Sequence, residues 1–174
     1  MSILSGKSIK ERLAKGDLII KGVREPSIGV TSLDVHLSDK FSTFQYYAHT
    51  HIDSRKWDNP ARYEKLMPDG RNFVWHDYTE EYLNNPDFTI HPDDLVFGVS
   101  KEYFKLPDDL VGRFQPKSAL IKMGLLFFPA ASWAGSLTPG FEGDFQFGIM
   151  NKAWTPVRIF PDMIVGEIFF EKIE

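Results

Sequence analysis

The chain has 174 residues, enough for one domain of common size that buries about 70% of the surface its unfolded chain exposes. Its formal net charge of -4 argues against binding a nucleic acid polymer through a basic face, and its lack of cysteine excludes disulfides, thiolate nucleophiles and thiolate-bound zinc. No signal peptide opens the chain and no apolar run approaches the roughly 18 residues that span a membrane, so we expect a cytoplasmic protein.

The N-terminal part of the chain predicts a helix followed by strands. Ser5 can cap a helix from about Gly6 to Lys15, and Gly16 stands where a glycine commonly ends a helix. Residues 18–20 predict a short strand, and residues 31–37 alternate between polar and apolar side chains. The apolar members of this alternation, which we expect to face the core, are Leu33, Val35 and Leu37.

Aromatic residues and histidines come next. Phe41 to Tyr47 is a second strand candidate, and His49 and His51 follow it at a spacing of two. Two such histidines can share a metal, with Asp53 as a third candidate, but histidines on a surface or in a turn are the favoured interpretation. The polar and aromatic residues from 53 to 86 predict an ordered insertion that packs against the body or a neighbouring subunit rather than stacking on a base.

The rest of the chain predicts short strands separated by turns rich in Pro, Asp and Gly, at a spacing of about ten residues. This pattern is typical of an all-β barrel or sandwich. No linker, repeat or low-complexity segment interrupts it, so we expect a single domain over residues 1–174. The predicted strands cover residues 88–90, 95–99, 103–106, 110–114, 157–160 and 163–170.

One segment has the composition of an anion site. The apolar strand at 110–114 ends at a Gln-Pro turn, and a short helical turn that Gly124 terminates follows it. Lys117, Ser118 and Lys122 face this turn, where free backbone N–H groups and positive side chains point the same way. A phosphorylated ligand is the first hypothesis, and the alternative is an ordinary strand-turn-helix with solvated lysines.

Six segments stand in the order and spacing of a known family, and they are residues 30–37, 90–98, 106–113, 117–125, 139–143 and 161–164. In these segments the chain resembles the dCTP deaminase branch of the dUTPase superfamily, over nearly its whole length apart from the insertion at about 53–86. The resemblance implies a distorted β-barrel or jelly-roll-like fold. It also implies a homotrimer with active sites between subunits, and Mg²⁺ accompanying a pyrimidine deoxynucleoside triphosphate.

The resemblance assigns roles to individual positions. The phosphate-binding segment of the family falls on Lys117, Ser118 and Lys122, with lysines in place of both arginines. A lysine loses the bidentate fork of arginine but can still hold a phosphate. The positions implied for base and sugar binding are Ala130, Ala131, Thr138 and Gln146.

Two of the family's carboxylates are replaced in this chain. The aspartate near the sugar becomes Thr138, and the catalytic glutamate, aligned on Asn151, becomes Gly148. Metal-free deamination needs a group that takes a proton from water and returns it to the leaving amine, and glycine cannot do this. Asp144 shares a face with Gly148 on a regular strand but lies about 13 Å away, so only a β-bulge or an alignment shift would let it substitute.

The resemblance therefore leaves two functions open. The first is an enzyme of pyrimidine deoxynucleotide metabolism that deaminates dCTP or hydrolyses the diphosphate of a nucleotide. The second is a catalytically inactive nucleotide-binding, regulatory or interaction homologue that kept the fold. Fold analogy alone does not choose between them.

Overall fold

The computed structural model describes residues 2–23, 26–44, 79–82, 86–129 and 136–173. The histidine pair, Asp53, Ala130, Ala131 and most of the insertion lie outside the described residues. No helix in the described ranges is long and apolar enough to cross a bilayer. The elements are β1 (Ser2–Ile3), α1 (Gly6–Lys15), β2 (Ile19–Lys21), β3 (Ser32–Phe44), β4 (Thr79–Tyr82), β5 (Phe88–Ile90), β6 (Leu95–Lys105), β7 (Leu110–Pro116), α2 (Ser118–Lys122), β8 (Leu125–Pro129), β9 (Ser136–Leu137), β10 (Glu142–Asn151), β11 (Val157–Ile159) and β12 (Ile164–Lys172).

Ten of these strands form one antiparallel sheet in the order β8-β10-β6-β3-β12-β7-β9, with β1 on β12, β2 on β6 and β4 on β3. Strands β5 and β11 form a separate pair. Residues 117–124, which include α2, join β7 to β8, although these strands stand near opposite ends of the sheet order. Such a short connection requires the sheet to curl, so the prediction of an all-β distorted barrel is confirmed.

Aromatic side chains fill the interior of the curled sheet. The ring centroids of Phe114 on β7 and Phe145 on β10 are 5.2 Å apart, and those of Phe127 on β8 and Phe147 on β10 are 5.9 Å apart. Phe145 and Phe147 are fully buried, and each buried aromatic side chain contributes about 2–3 kcal/mol. The contact between Phe114 and Phe145 joins strands that do not pair, and it thereby ties the two ends of the sheet together.

Helix α1 has the limits and caps that the sequence predicts. The Ser5 hydroxyl accepts a hydrogen bond from the Ser8 N–H at 3.1 Å, and Gly16 ends the helix with φ 76°. Ile9 is fully buried, while the Arg12 guanidinium donates two hydrogen bonds, at 3.0 and 2.5 Å, to the two oxygens of Asp109. The bidentate pair fixes the helix to the turn before β7.

Strand β3 is longer than predicted because its two halves pair with different strands of the sheet. It pairs with β12 as far as His36 and with β6 from Leu37 onward, with an irregularity in register between Leu37 and Phe41. The predicted candidate at 41–47 is thus the end of the same strand as far as Phe44. Leu33, Val35 and Leu37 are all fully buried, which confirms the direction of the alternation.

A buried carboxylate lies at the position, called the bend in β3 below, where this strand changes its partner from β12 to β6. Glu102 on β6 is 1% exposed, and one of its oxygens accepts a hydrogen bond from the His36 backbone N–H at 3.0 Å. The other oxygen lies 2.5 Å from Nδ1 of the His36 ring. At this point β3 exchanges one partner strand for another, so Glu102 satisfies a backbone donor that the bend leaves without a strand partner.

Candidate functional site

The candidate phosphate-binding residues gather on α2. Lys117 is the N-cap residue, Ser118 is the first residue of the helix and Lys122 is the last. Buried Leu120 anchors the turn, and Gly124 ends it with φ 84°. Ser118 and Lys122 are exposed, and Lys122 makes no ion pair with any residue that the structure describes. These two side chains are therefore accessible to an anion.

Lys117 is already engaged by two carboxylates. Its Nζ lies 2.8 Å from Oδ1 of Asp34 and 2.5 Å from Oε1 of Glu167. Burial lowers the pKa of Lys117, but the hydrogen bonds to the two carboxylates outweigh it and leave the pKa raised. Both partners are far away in sequence, and sequence analysis missed Glu167 because no pattern in β12 shows which strand it pairs with.

Gly148 is buried on β10 in a mostly apolar environment. Its partners on the neighbouring strands are Phe97 of β6 and Phe128 of β8. A Cβ atom at this position would lie 3.4 Å from Leu95 Cδ1 and 3.5 Å from Phe97 Cε1, which are ordinary contacts. The resemblance assigns the catalytic glutamate to this position. Neither of its two strand partners carries an acidic or basic group.

An irregularity near Asp144 does not bring this carboxylate closer to Gly148. Between Asp144 and Gln146 the partner on β6 changes from Tyr103 to Val99, so the additional residues belong to β6. On strand β10 itself no residue is inserted at this point, and Phe145 and Phe147 are buried on either side of exposed Gln146. The spacing of about 13 Å along a regular strand therefore remains.

Glu142, the other acidic residue of β10, has its own partners. One of its oxygens accepts a hydrogen bond from the Tyr103 hydroxyl at 2.6 Å, and the other lies 2.7 Å from Lys105 Nζ. The hydrogen bond from Lys105, followed in size by the one from Tyr103, lowers the pKa of Glu142. This carboxylate is held as an ionised surface group at the start of the strand.

The described positions implied for base and sugar binding, Thr138 and Gln146, lie at different strands of the sheet. Thr138 follows buried Leu137 of β9 and begins a turn in which its carbonyl accepts a hydrogen bond from the Phe141 N–H at 3.0 Å. Gln146 is exposed on β10 opposite Val99. Strand β9 is the last in the sheet order and β10 the second, so sheet pairing does not bring these side chains together. Ala130 and Ala131 belong to the part of the chain that the structure does not describe.

The described residues contain no group of three or more His, Asp or Glu side chains arranged to hold a metal ion. Asp34 and Glu167 lie near each other, and the Lys117 ammonium is the cation that both of them contact. Mg²⁺ in nucleotide sites commonly takes its ligands from phosphate oxygens, water and one or two carboxylates.

Comparisons with known proteins agree on one family. A family model described as dCTP deaminase-like matches residues 3–173. The chain is 32% identical over 174 residues to a dUMP-forming dCTP deaminase of Methanobrevibacter smithii, covering 98% of this chain and 80% of the relative. It is 31% identical over 166 residues to a protein of the same name from Mycobacterium tuberculosis, covering 95% and 78%.

Solved structures show the same fold. The dCTP deaminase of Agrobacterium tumefaciens matches with a TM-score of 0.70 and 17% identity over 99% of this chain, which spans 46% of that protein. The dUTPase of Staphylococcus bacteriophage 80alpha matches with a TM-score of 0.53 and 10% identity, over 91% of this chain and 92% of that one. From the family match and the curated relatives together, we conclude that the chain belongs to the dCTP deaminase-like family.

Proposed function

We propose that this protein binds a pyrimidine deoxynucleoside triphosphate and that it has lost the acid-base step of dCTP deamination. The observation that carries the proposal is Gly148, which takes the place of the family's glutamate by resemblance and has apolar strand neighbours. Membership of the dCTP deaminase-like family supports nucleotide binding. The accessible Ser118 hydroxyl and Lys122 ammonium on α2 supply groups that suit phosphate.

The relatives favour a second candidate function. Their name, dCTP deaminase, dUMP-forming, describes an overall reaction in which the diphosphate of the nucleotide is also removed. Hydrolysis of that phosphoanhydride takes place at a phosphorus atom rather than at the base, so its loss would not follow from the absence of a glutamate that acts on the base. A protein that converts dCTP to dCMP and diphosphate, and leaves the base unchanged, would fit this candidate.

We further propose that the protein is a homotrimer of single-domain subunits with the nucleotide between them, as the family resemblance implies. Mg²⁺ would accompany the triphosphate, and its ligands would be mainly phosphate oxygens and water. The ion would offset the negative charge of the phosphates. Ser118 and Lys122 would orient them through hydrogen bonds.

The proposed binding is tested by calorimetric titration with dCTP, dUTP and dTTP and with the corresponding nucleosides. Triphosphates should bind more tightly than nucleosides, and their affinity should fall as salt is added, because charge supplies part of the binding. Lys122→Ala should weaken triphosphate binding. Lys15→Ala is the matched control, since Lys15 is also an exposed lysine in the last turn of a helix. Equal affinity for nucleoside and triphosphate would remove the phosphate assignment.

The fate of the bound nucleotide separates the two candidates. Incubation with dCTP followed by chromatography should yield neither dUTP nor dUMP if deamination is lost. Formation of dCMP and diphosphate would support hydrolysis without deamination. Production of a deoxyuridine nucleotide at ordinary enzymatic rates would contradict the role given to Gly148.

A further inference from the structure

The ammonium group of Lys117 has little capacity left for a ligand. It has three hydrogen-bond donors, and Asp34 and Glu167 accept at 2.8 and 2.5 Å. The side chain remains 32% exposed, so its free donor can reach a bound phosphate. A phosphate at Lys117 would have to share the cation with two internal carboxylates.

The carboxylates are fixed in this position by the sheet. Asp34 of β3 and Glu167 of β12 are directly opposite in register, so their side chains lie on the same face of adjacent strands. The Ser27 hydroxyl donates to the second oxygen of Asp34 at 2.7 Å, and the Ser32 hydroxyl donates to the second oxygen of Glu167 at 2.5 Å. These bonds orient the remaining oxygens toward Lys117.

The balance of charge around Lys117 is unfavourable for a triphosphate. Two carboxylates and one ammonium leave one net negative charge, whereas a triphosphate brings several more negative charges. A further unit charge a few ångström away weakens the binding of an anion, because like charges repel more strongly near a protein surface than in bulk water. The same three residues would be neutral if one carboxylate were removed.

We propose that Glu167 is a specificity-determining residue that competes with nucleotide phosphate for Lys117 and so limits the affinity for highly charged nucleotides. The proposal rests on the proposed nucleotide-binding function. Glu167 has this effect because Asp34 already supplies one carboxylate, at 2.8 Å, whose single negative charge balances that of Lys117. The second carboxylate therefore adds repulsion toward phosphate and occupies one more donor.

The substitution Glu167→Gln tests this directly. The glutamine carbonyl can keep the hydrogen bond from Ser32, which turns its amide NH₂ group toward Lys117 and leaves that ammonium bound to Asp34 alone. We expect dCTP to bind about tenfold more tightly, dCMP to gain less, and deoxycytidine not to change. Glu171→Gln is the matched control, because Glu171 lies four residues further along the same face of β12 but pairs with Arg113 at 2.9 Å.

A double-mutant cycle with Lys117→Met separates competition from general repulsion. If Glu167 acts through Lys117, the gain from Glu167→Gln should largely disappear in the Lys117→Met background. An equal gain in both backgrounds would overturn the proposal, because Glu167 would then act on phosphate independently of Lys117. Thermal unfolding of each variant establishes that the subunit remains folded.

The titrations distinguish failure of this inference from failure of the proposed function. If the unmodified protein binds dCTP and Glu167→Gln binds it equally or more weakly, Glu167 positions Lys117 and the competition is refuted, while the nucleotide site stands. If neither protein binds dCTP, both proposals fall. Tighter binding by Glu167→Gln together with unchanged binding by Glu171→Gln is the expected result.

Discussion

At the residue scale, Gly148 permits a direct test of the missing acid-base group. The ordinary contacts available to a Cβ atom, 3.4 Å from Leu95 and 3.5 Å from Phe97, indicate that the first atom of a side chain can be added without displacing the strand neighbours. A carboxyl group in apolar surroundings has a raised pKa, which suits proton exchange near neutral pH. We expect Gly148→Glu to raise the rate of dCTP deamination about 10²–10⁴-fold, measured as dUTP formed.

Gly148→Gln is the control for this substitution. Glutamine has nearly the same size and can form hydrogen bonds, but it cannot take up and return a proton at neutral pH. It should therefore leave deamination at the level of the unmodified protein. Equal rates for the two variants would show that the carboxylate is not the missing group.

Glu102 is a second residue whose role can be isolated. It is buried at the bend of β3, where it accepts from the His36 backbone N–H and contacts the His36 ring. Glu102→Ala leaves this donor unsatisfied in the interior and should cost about 3 kcal/mol of unfolding free energy. Glu102→Gln keeps an acceptor and should cost clearly less, and urea titration measures both values. Equal losses would show that packing, not the hydrogen bonds, determines the effect.

At the element scale, Lys117 links β3 and β12 to α2, and its removal should have a distinct pH dependence. The hydrogen bond from Lys117, followed by the one from Ser32, lowers the pKa of Glu167. Burial raises the pKa of Asp34, but hydrogen bonds from Lys117 and Ser27 outweigh this effect, so the pKa of Asp34 is also lowered overall. Carboxylates with lowered pKa stabilise the fold above their unfolded pKa, and this stability is lost as pH falls through the folded pKa. The unmodified protein should therefore lose this contribution only below about pH 4.

Lys117→Met reverses the sign of this dependence. Asp34 and Glu167 would then face each other as like charges on adjacent strands, which raises their pKa and destabilises the sheet by about 1 kcal/mol at pH 7. Protonation relieves the repulsion, so the loss of stability should be smaller near pH 4 than at pH 7. Urea unfolding at both values measures the difference, and exposed Lys122→Met should show none. A loss that does not depend on pH would contradict the ion-pair assignment.

The same elements show what sequence patterns predict and where they fail. The limits of α1 could be predicted because Ser5 and Gly16 act locally, through a cap and a left-handed C-terminal residue. The limits of strand β6 could not be predicted in this way. Its two predicted pieces, at 95–99 and 103–106, form one strand with an irregularity in register, which Ser100 bridges. The Ser100 hydroxyl accepts from the Phe145 N–H at 2.9 Å and donates to the Glu102 carbonyl at 2.5 Å. Such contacts depend on strand pairing, which alternation does not reveal.

At the scale of the whole molecule, the order of the sequence motifs was enough to identify the family and the barrel fold. The contacts within the candidate site could be identified only from the pairing of the strands. The sequence placed Lys117, Ser118 and Lys122 together because they share one short helix. It did not show that Glu167 lies opposite Asp34, because that contact depends on the register between β12 and β3. Local spacing predicts a cation-rich turn, whereas its charge balance is set by strands distant in sequence.

The single subunit exposes apolar side chains around α2. Trp154 is 98% exposed, in a loop that the Lys152 N–H fixes to the Gly124 carbonyl at 2.7 Å. Ile121 and Met123, just before Gly124, are 46% and 47% exposed. Large aromatic and aliphatic side chains on a fixed loop are typical of contacts between subunits.

We therefore expect light scattering at micromolar concentration to give three times the mass of the chain. Trp154→Ser should shift the protein toward monomers, because a buried tryptophan at the centre of an interface contributes about 2 kcal/mol or more. The subunit itself should keep its thermal stability when compared at equal oligomeric state, since this side chain has almost no contact within the subunit. A monomer mass for the unmodified protein would contradict the homotrimer, whereas an unchanged trimer in Trp154→Ser would place this loop outside the subunit contact.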